Sequence, residues 1–234
     1  MIEFVALPGE GRRYCTQYKV RLGDVGADGS LRLDGVARLL QDVATDDWDE
    51  SGLDTDDHWV VRRTALRLAE GGRWPRYKEL LTLTTWCGGV GAAWAERRTN
   101  IEVAGQVVLE ASALWVPIDA TGHPVRISAE FMRIYGETIQ GRKVSSRVPA
   151  PEVAPDAGGR VWPLRLADLD VIGHVNNAAI WQAITEVTGG GTSYVEVTHH
   201  GALELGDEVT LLSTNHAAWL SVGGVVQVAA EFSA

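Results

Sequence analysis

Residues 165–177 read RLADLDVIGHVNN, and an earlier stretch, residues 21–33, reads RLGDVGADGSLRL. The two stretches share an arginine, a leucine, an aspartate and a glycine at the same spacing. A pattern that recurs at a constant offset indicates a tandem duplication of one structural unit. The offset is 144 positions for each pair: Arg21 and Arg165, Leu22 and Leu166, Asp24 and Asp168, Gly29 and Gly173.

Further similarities between the two copies follow in the same order along the chain. The order predicts two copies of a unit of roughly 100 to 120 residues. The matched segments are 78–83 with 207–212, 93–94 with 218–219, and 105–108 with 223–226.

The two copies differ in the residues that can carry chemistry. The second copy has Asp170, His174, Asn176 and Asn177 where the first has Gly26, Ser30, Arg32 and Leu33. Carboxylate, imidazole and amide groups are therefore concentrated in the second copy. We expect the reactive site to lie there.

Each copy is predicted to be a strand, a helix and a series of further strands. Hydrophobic periodicity predicts a helix over 34–48, with Asp34 as its N-cap, and a second helix over 175–188. We expect the strands after each helix to follow one another as an antiparallel meander, which gives the α+β class. The predicted strands are 14–22, 59–68, 79–87, 93–103 and 107–118, then 161–166, 193–199, 208–214, 217–223 and 225–232.

Prolines and a loss of periodicity mark the connection between the copies, within residues 119–160. We therefore predict three regions. Residues 1–135 form the N-terminal unit, residues 136–159 form a linker, and residues 160–234 form the C-terminal unit.

Composition narrows the possible classes of protein. The 234 residues are 45% hydrophobic and 22% charged, as in ordinary globular domains, and the net charge of −10 argues against nucleic-acid binding. No apolar run approaches the ~20 residues that span a bilayer, and the first residues lack the pattern of a signal peptide. The two cysteines, Cys15 and Cys87, predict no disulfide framework, which fits the cytoplasm.

The motif of the second copy combines groups that suit acyl transfer. Asp170 either closes a turn before the helix or acts as a nucleophile or general base. In the second case the N–H of Gly173 or His174 would stabilise a negatively charged oxygen. Histidine exchanges protons near neutral pH, so His174 would orient or protonate a reacting group. Asn177, on the first turns of the helix, would position the carboxylate.

Residues 168–177, DLDVIGHVNN, resemble the helix-entry motif of the acyl-acyl carrier protein thioesterases, which include plant chloroplast enzymes and bacterial relatives. The resemblance extends over nearly the whole chain. It implies a tandem double hotdog fold, in which each half wraps an antiparallel sheet around a central helix. It also implies hydrolysis of a fatty acyl thioester on acyl carrier protein, with no metal and no organic cofactor.

The resemblance implies roles for individual residues. Asp170 and His174 match the family's catalytic aspartate and histidine, whereas Ile172 stands where the family has asparagine. His200-Gly201 stands at a family glutamate that is often followed by cysteine, so His200 would replace that glutamate as general base. The first half would hold the acyl chain, with Trp48 as a candidate tunnel residue.

A local excess of basic residues predicts how the carrier is bound. Between Arg62 and Arg98 the chain has eight basic and three acidic residues. This run is either solvated surface or a dock for an acidic carrier protein, and Arg62 and Arg63, together with Arg97 and Arg98, are its predicted members. Coenzyme A is the alternative carrier. We expect a monomer or a homodimer, because the tandem chain already contains both halves.

Two other functions fit the same pattern. A non-catalytic acyl-binding protein would keep the fold with Ile172 and His200 at the family's polar positions. A hydroxyacyl-thioester dehydratase also pairs a histidine with a carboxylate, although its usual motif is absent from the sequence. A metal site is not predicted, because His199 and His200 face opposite ways on a predicted strand and no cysteine or histidine spacing suits zinc.

Overall fold

The computed structural model describes residues 2–53, 58–171 and 173–233. Its helices are α1 (Leu33–Ser51), α2 (Ala129–Ile139) and α3 (Asn177–Thr188). Its strands are β1 (Arg13–Lys19), β2 (His58–Leu68), β3 (Leu80–Val90), β4 (Ala95–Val103), β5 (Gln106–Ile118), β6 (Gly158–Trp162), β7 (Tyr194–His199), β8 (Val209–Ser213), β9 (Ala217–Val222) and β10 (Val225–Ser233). These strands form one antiparallel sheet in the order β1-β3-β4-β5-β2-β7-β10-β9-β8-β6.

The duplication seen in the sequence is also a duplication of structure. Each copy has a short 3-10 turn, at Leu22–Asp24 and at Leu166–Asp168. In both turns the aspartate accepts a hydrogen bond from the backbone N–H of the preceding arginine, at 2.9 Å for Asp24 and 2.8 Å for Asp168. The same offset relates the first residues of α1 and α3 and the isolated β-bridges that follow the turns, Val25–Leu31 and Leu169–Val175.

The two halves meet along β2. The predicted meander would place β2 beside β3 and β7 beside β8. Instead β2 lies between β5 and β7, and β7 lies between β2 and β10, so the meander prediction is wrong for both strands. Arg63 opposes Thr198 and Arg67 opposes Tyr194, and this pairing fuses the two halves into one sheet. Hydrophobic periodicity defines a strand but not its neighbour. The helix before β2 allows the chain to cross to the other side of the meander.

A single apolar core supports both helices. Leu33 and Val43 of α1 and Ile184 of α3 are fully buried in one cluster that draws residues from both halves, and the two helices contact each other. The N-cap prediction is wrong, because α1 begins at Leu33. Asp34 lies in the first turn and accepts a hydrogen bond from the Arg32 guanidinium at 2.8 Å.

Helix α2 lies in the region that the sequence indicated as a connection, and it crosses the predicted boundary at residue 135. Ser128 is its N-cap and accepts a hydrogen bond from the Phe131 N–H at 3.0 Å. Phe131, Tyr135 and Ile139, spaced four residues apart, are buried against β3. The spacing is helical, but a pattern of only about three turns between proline-containing flanks is too short to predict a helix.

Candidate active site

The turn from Asp170 to His174 holds the Asp170 carboxylate in front of α3. The Asp170 N–H donates to the His174 carbonyl at 2.8 Å, and the Gly173 N–H donates to the Asp170 carbonyl at 3.1 Å. The His174 N–H donates to Asp170 Oδ1 at 3.1 Å. Asp170 therefore closes a turn, and both predicted oxyanion donors, the N–H groups of Gly173 and His174, are engaged within that turn.

The first copy shows that this turn does not require a carboxylate at its first position. Gly26, the counterpart of Asp170, donates its N–H to the Ser30 carbonyl at 2.9 Å, and Gly29 donates to the Gly26 carbonyl at 2.9 Å. The backbone pattern is thus the same with glycine. In this copy Asp28 supplies the side-chain acceptor, taking the Ser30 N–H at 3.0 Å. A carboxylate at position 170 is therefore compatible with a role beyond folding.

A cavity of about 510 Å³ lies against Asp170. The second half contributes Asp170, Val171 and Asn177 to its lining. The first half supplies the remainder from the C-terminal part of α1, from four strands and from α2. These residues are Gln41, Ala44, Thr45, Trp48, His58, Trp59, Cys87, Ala95, Glu96, Arg97, Trp115 and Phe131.

One wall of this cavity is a chain of aromatic rings. The rings of Trp48 and Trp59 meet edge to face with centroids 5.7 Å apart, and Trp59 stacks on Phe131 at 5.6 Å. The ring centroids of Phe131 and Tyr135 are 4.7 Å apart, which extends the chain of rings. Aromatic side chains offer large apolar surfaces. The structure thus places Trp48, the predicted tunnel residue, in the apolar wall.

A buried ionic cluster lies behind the aromatic wall. Asp47, only 1% exposed, accepts hydrogen bonds from Arg97 at 2.6 Å and from the Tyr135 hydroxyl at 2.9 Å through Oδ2, and from Arg12 at 2.9 Å through Oδ1. Burial favours the neutral form of Arg97, but Asp47 and then Tyr135 outweigh it and raise the pKa of Arg97. Burial raises the pKa of Tyr135. Arg97, which sequence reasoning did not place at the site, is therefore a cation in the cavity lining.

The predicted basic docking surface is not formed by Arg97 and Arg98. Both are paired inside the protein, Arg97 with Asp47 and Arg98, 1% exposed, with Glu96 at 2.9 Å. Arg63 is half-buried and lies 4.0 Å from Glu196 across the β2–β7 junction. Arg62 is half-buried, and neither it nor Arg63 lines the large cavity. The prediction that Arg97 and Arg98 receive a carrier is wrong, because charged strand residues here are compensated internally.

The two predicted histidines lie outside the large cavity. His174 is exposed. His200 follows the end of β7, where its Nε2 lies 3.0 Å from the Thr198 hydroxyl. Burial, and then Arg62, lower the pKa of His200. His199, which precedes His200 in the sequence, is the histidine that faces the helices.

His199 is a residue that sequence reasoning missed. It is buried and lines a smaller cavity of about 30 Å³ together with Asn177. Its Nε2 has no hydrogen-bond partner among the described residues. Burial, and then Arg62 and His200, lower the pKa of His199 to about 4. The alternation of side chains along the strand could have predicted its burial, since Val195 and Val197, which are buried, share a face with His199 and not with His200.

The part of the chain that the structure describes has neither a metal-binding cluster nor a membrane-spanning helix. No group of three or more histidine, cysteine, aspartate or glutamate side chains is placed to hold a metal ion there. No helix of those residues combines the length and apolar character needed to cross a membrane. Ile172, the family's asparagine position, lies outside the described residues.

Comparison with known proteins places this geometry in a family. The model of the acyl-ACP thioesterase N-terminal domain matches residues 11–135. An uncharacterized protein of Mycobacterium tuberculosis is 26% identical over 190 residues, covering 80% of this chain and 74% of that protein. Oleoyl-acyl carrier protein thioesterase 2 of Arabidopsis thaliana is 24% identical over 201 residues, covering 75% of this chain and 54% of that enzyme. The solved 12:0-ACP thioesterase of Umbellularia californica has a TM-score of 0.78 at 19% identity and covers 96% of this chain and 97% of that one.

The fold defines the class: the predicted α+β tandem double hotdog is confirmed. The chain belongs to the acyl-ACP thioesterase family. Membership of this family implies a thioester hydrolase that acts on acyl groups carried by acyl carrier protein.

Proposed function

We propose that this chain hydrolyses acyl-ACP thioesters with the acyl chain in the large cavity and the thioester carbonyl beside Asp170. The observation that carries the proposal is the shared lining of the cavity. Aromatic rings from the first half meet a carboxylate and an amide from the second half around one space of about 510 Å³. Mostly apolar cavities with a few polar groups are the usual form of a binding site for a small molecule.

Asp170 is the reacting group in this proposal. Its carboxylate either attacks the thioester carbon and displaces the thiol, or removes a proton from an attacking water. Asn177, at the first residue of α3, would stabilise the developing oxyanion together with the partial positive charge of the helix N-terminus. The Gly173 N–H stays a candidate donor, but it would have to leave the Asp170 carbonyl to receive the substrate.

The identity of the carrier and the setting of the enzyme extend the proposal. Family membership favours acyl carrier protein, and coenzyme A is the alternative. Arg62 and Arg63 remain candidate contacts for the carrier, outside the acyl cavity. A cytoplasmic location is consistent with the two free cysteines, Cys15 and Cys87, because thiols stay reduced there. A monomer or a homodimer suits a chain that already contains both halves.

A thiol-release assay tests the proposal. Acyl-ACP and acyl-coenzyme A substrates of graded chain length should release free thiol and fatty acid, with the higher kcat/KM on acyl-ACP. Binding without thiol release would contradict hydrolysis and favour the acyl-binding protein. A change in double-bond absorbance without thiol release would favour the dehydratase.

One observation favours the non-catalytic alternative. His174, which matches the family's histidine, and His200, which stands at the family's glutamate position, do not line the acyl cavity. If both are dispensable, Asp170 and Asn177 are the residues of the motif that remain at the cavity, and hydrolysis must depend on them or on residues outside the family motif.

A further inference from the structure

His199 stands out among the buried groups because its environment is built for a neutral, hydrogen-bond-accepting imidazole. The side chain lies on the helix-facing side of β7, and its Nε2 lacks a partner among the described residues. A buried polar atom without a partner destabilises the fold, so such an atom is usually retained for a reason. Burial, and then Arg62 and His200, lower its pKa to about 4, so the imidazole is uncharged at neutral pH and its unprotonated nitrogen can accept a hydrogen bond from water.

The cavity beside His199 is mostly apolar, but it is large enough for a water and has polar side chains in its lining. Its volume of about 30 Å³ exceeds the ~10–15 Å³ that one water requires. Its lining includes the polar side chains of Gln41, Thr64 and Asn177 as well as His199. Buried water needs two to four polar partners, and this lining can supply them.

The small cavity adjoins the acyl cavity. Both are lined by Asn177 at the start of α3, and both also share Gln41, Arg97 and Trp115. Asp170 lines only the larger cavity. Asn177 therefore borders both the space beside Asp170 and the cavity beside His199.

We propose that His199 is a catalytic residue that deprotonates the hydrolytic water held in the small cavity, and that Asp170 is the nucleophile of the preceding step. The inference rests on the proposed function, since it requires an acyl group transferred to Asp170. It assigns the two chemical steps of hydrolysis to two different side chains.

The two steps balance as follows. In the first, an Asp170 carboxylate oxygen bonds to the acyl carbon, the carbon–sulfur bond breaks, and the thiolate takes a proton from solvent. In the second, water bonds to the acyl carbon of the resulting anhydride while its proton passes to His199 Nε2. The bond from that carbon to the Asp170 oxygen breaks, the carboxylate is restored, and the imidazolium returns its proton to solvent. The net reaction is thioester and water to carboxylic acid and thiol.

Pre-steady-state thiol release tests this assignment with His199→Gln, which keeps a neutral polar side chain. We expect a burst of about one thiol per enzyme, followed by turnover slowed roughly 100-fold. Intact-mass measurement after acid quench should show the enzyme carrying one acyl group, and peptide fragmentation should locate that group on Asp170. His216→Gln, an exposed histidine between β8 and β9, should keep the wild-type time course.

Several results would overturn the inference. Wild-type turnover by His199→Gln would do so, and so would slow turnover without a burst or an acyl adduct in a protein of unchanged melting temperature. If His199→Gln melts early, His199→Asn is measured below its melting temperature by the same two readouts. If the acyl adduct accumulated in His200→Gln and not in His199→Gln, the residue that deprotonates the hydrolytic water would be His200. Full activity of Asp170→Asn would separately refute the proposed use of Asp170 while leaving hydrolysis itself intact.

Discussion

Asp170 both closes a turn and faces the acyl cavity, and Asp170→Asn separates these two roles. Asparagine keeps the side-chain oxygen that accepts the His174 N–H but loses the charge. Stability should therefore change by no more than about 1 kcal/mol. A nucleophile or general base should lose roughly 100-fold or more in kcat. Thiol release and a thermal melt measure the two effects.

Asp28 offers the matched control for that substitution. It accepts the Ser30 N–H in the equivalent turn of the first copy and does not line the acyl cavity. Asp28→Asn should change stability to a similar small extent and leave thiol release unchanged. Equal loss of activity in both variants would show that the turn, and not the charge at residue 170, limits the reaction.

His199 predicts a pH dependence of stability. Its pKa of about 4 in the folded protein lies below the ordinary value of 6.5, so the unfolded chain binds more protons between these pH values. The free energy of unfolding should therefore fall as the pH drops from 7 to 4, by on the order of 3 kcal/mol from this group. The nearby charges are Arg62, His200 and Arg97. Urea unfolding should show a flatter pH profile for His199→Gln, and an identical profile would contradict the assignment.

At the scale of elements, the contact of α2 with α1 depends on one buried carboxylate. Asp47→Ala leaves Arg97 without its partner in the interior, and this type of loss typically costs about 3–5 kcal/mol. Tyr135→Phe removes only the hydroxyl that donates to Asp47, so about 2 kcal/mol is expected. Denaturant unfolding should rank the two variants in this order. The reverse order would mean that the hydroxyl, not the ion pair, anchors α2.

The sequence was sufficient to predict the elements whose pattern is local. The predicted helices 34–48 and 175–188 agree closely with α1 and α3, because apolar residues recur at helical spacing along each. The position of β2 could not be predicted, since pairing between distant strands leaves no mark in the periodicity of either strand. Helix α2 was missed because its short apolar pattern lies among prolines.

The candidate site was predicted in part for a related reason. Asp170 and Asn177 belong to a compact motif, and both line the acyl cavity, as does Trp48. Arg97 lies on β4 and His199 on β7, and only the folding of the sheet places both in the lining of the cavity that Asn177 also lines. The burial of Arg97 within the basic run could not be predicted, because its partner Asp47 is 50 residues away in the sequence.

At the scale of the whole molecule, the acyl cavity combines walls from both halves, so its size should set the choice of substrate. Trp48→Ala removes one ring from the aromatic wall. The preferred acyl chain should become longer or bulkier, seen as a shift of the kcat/KM maximum across a graded substrate series. Tyr77→Ala, an exposed aromatic outside the cavity, is the control. An unchanged profile for Trp48→Ala would place the end of the acyl chain elsewhere.

The β2–β7 junction also bears on aggregation. A strand at the edge of a sheet presents unpaired backbone groups that can recruit another chain, and fusing the halves conceals two such edges inside one sheet. The terminal strands that remain are β1, which carries Arg13 and Lys19 at its ends, and the five-residue β6. Charge and shortness are common protections for an exposed edge. A polypeptide that ended after the first half would uncover β2 from Arg63 to Arg67, and self-association through that strand would be its expected fate.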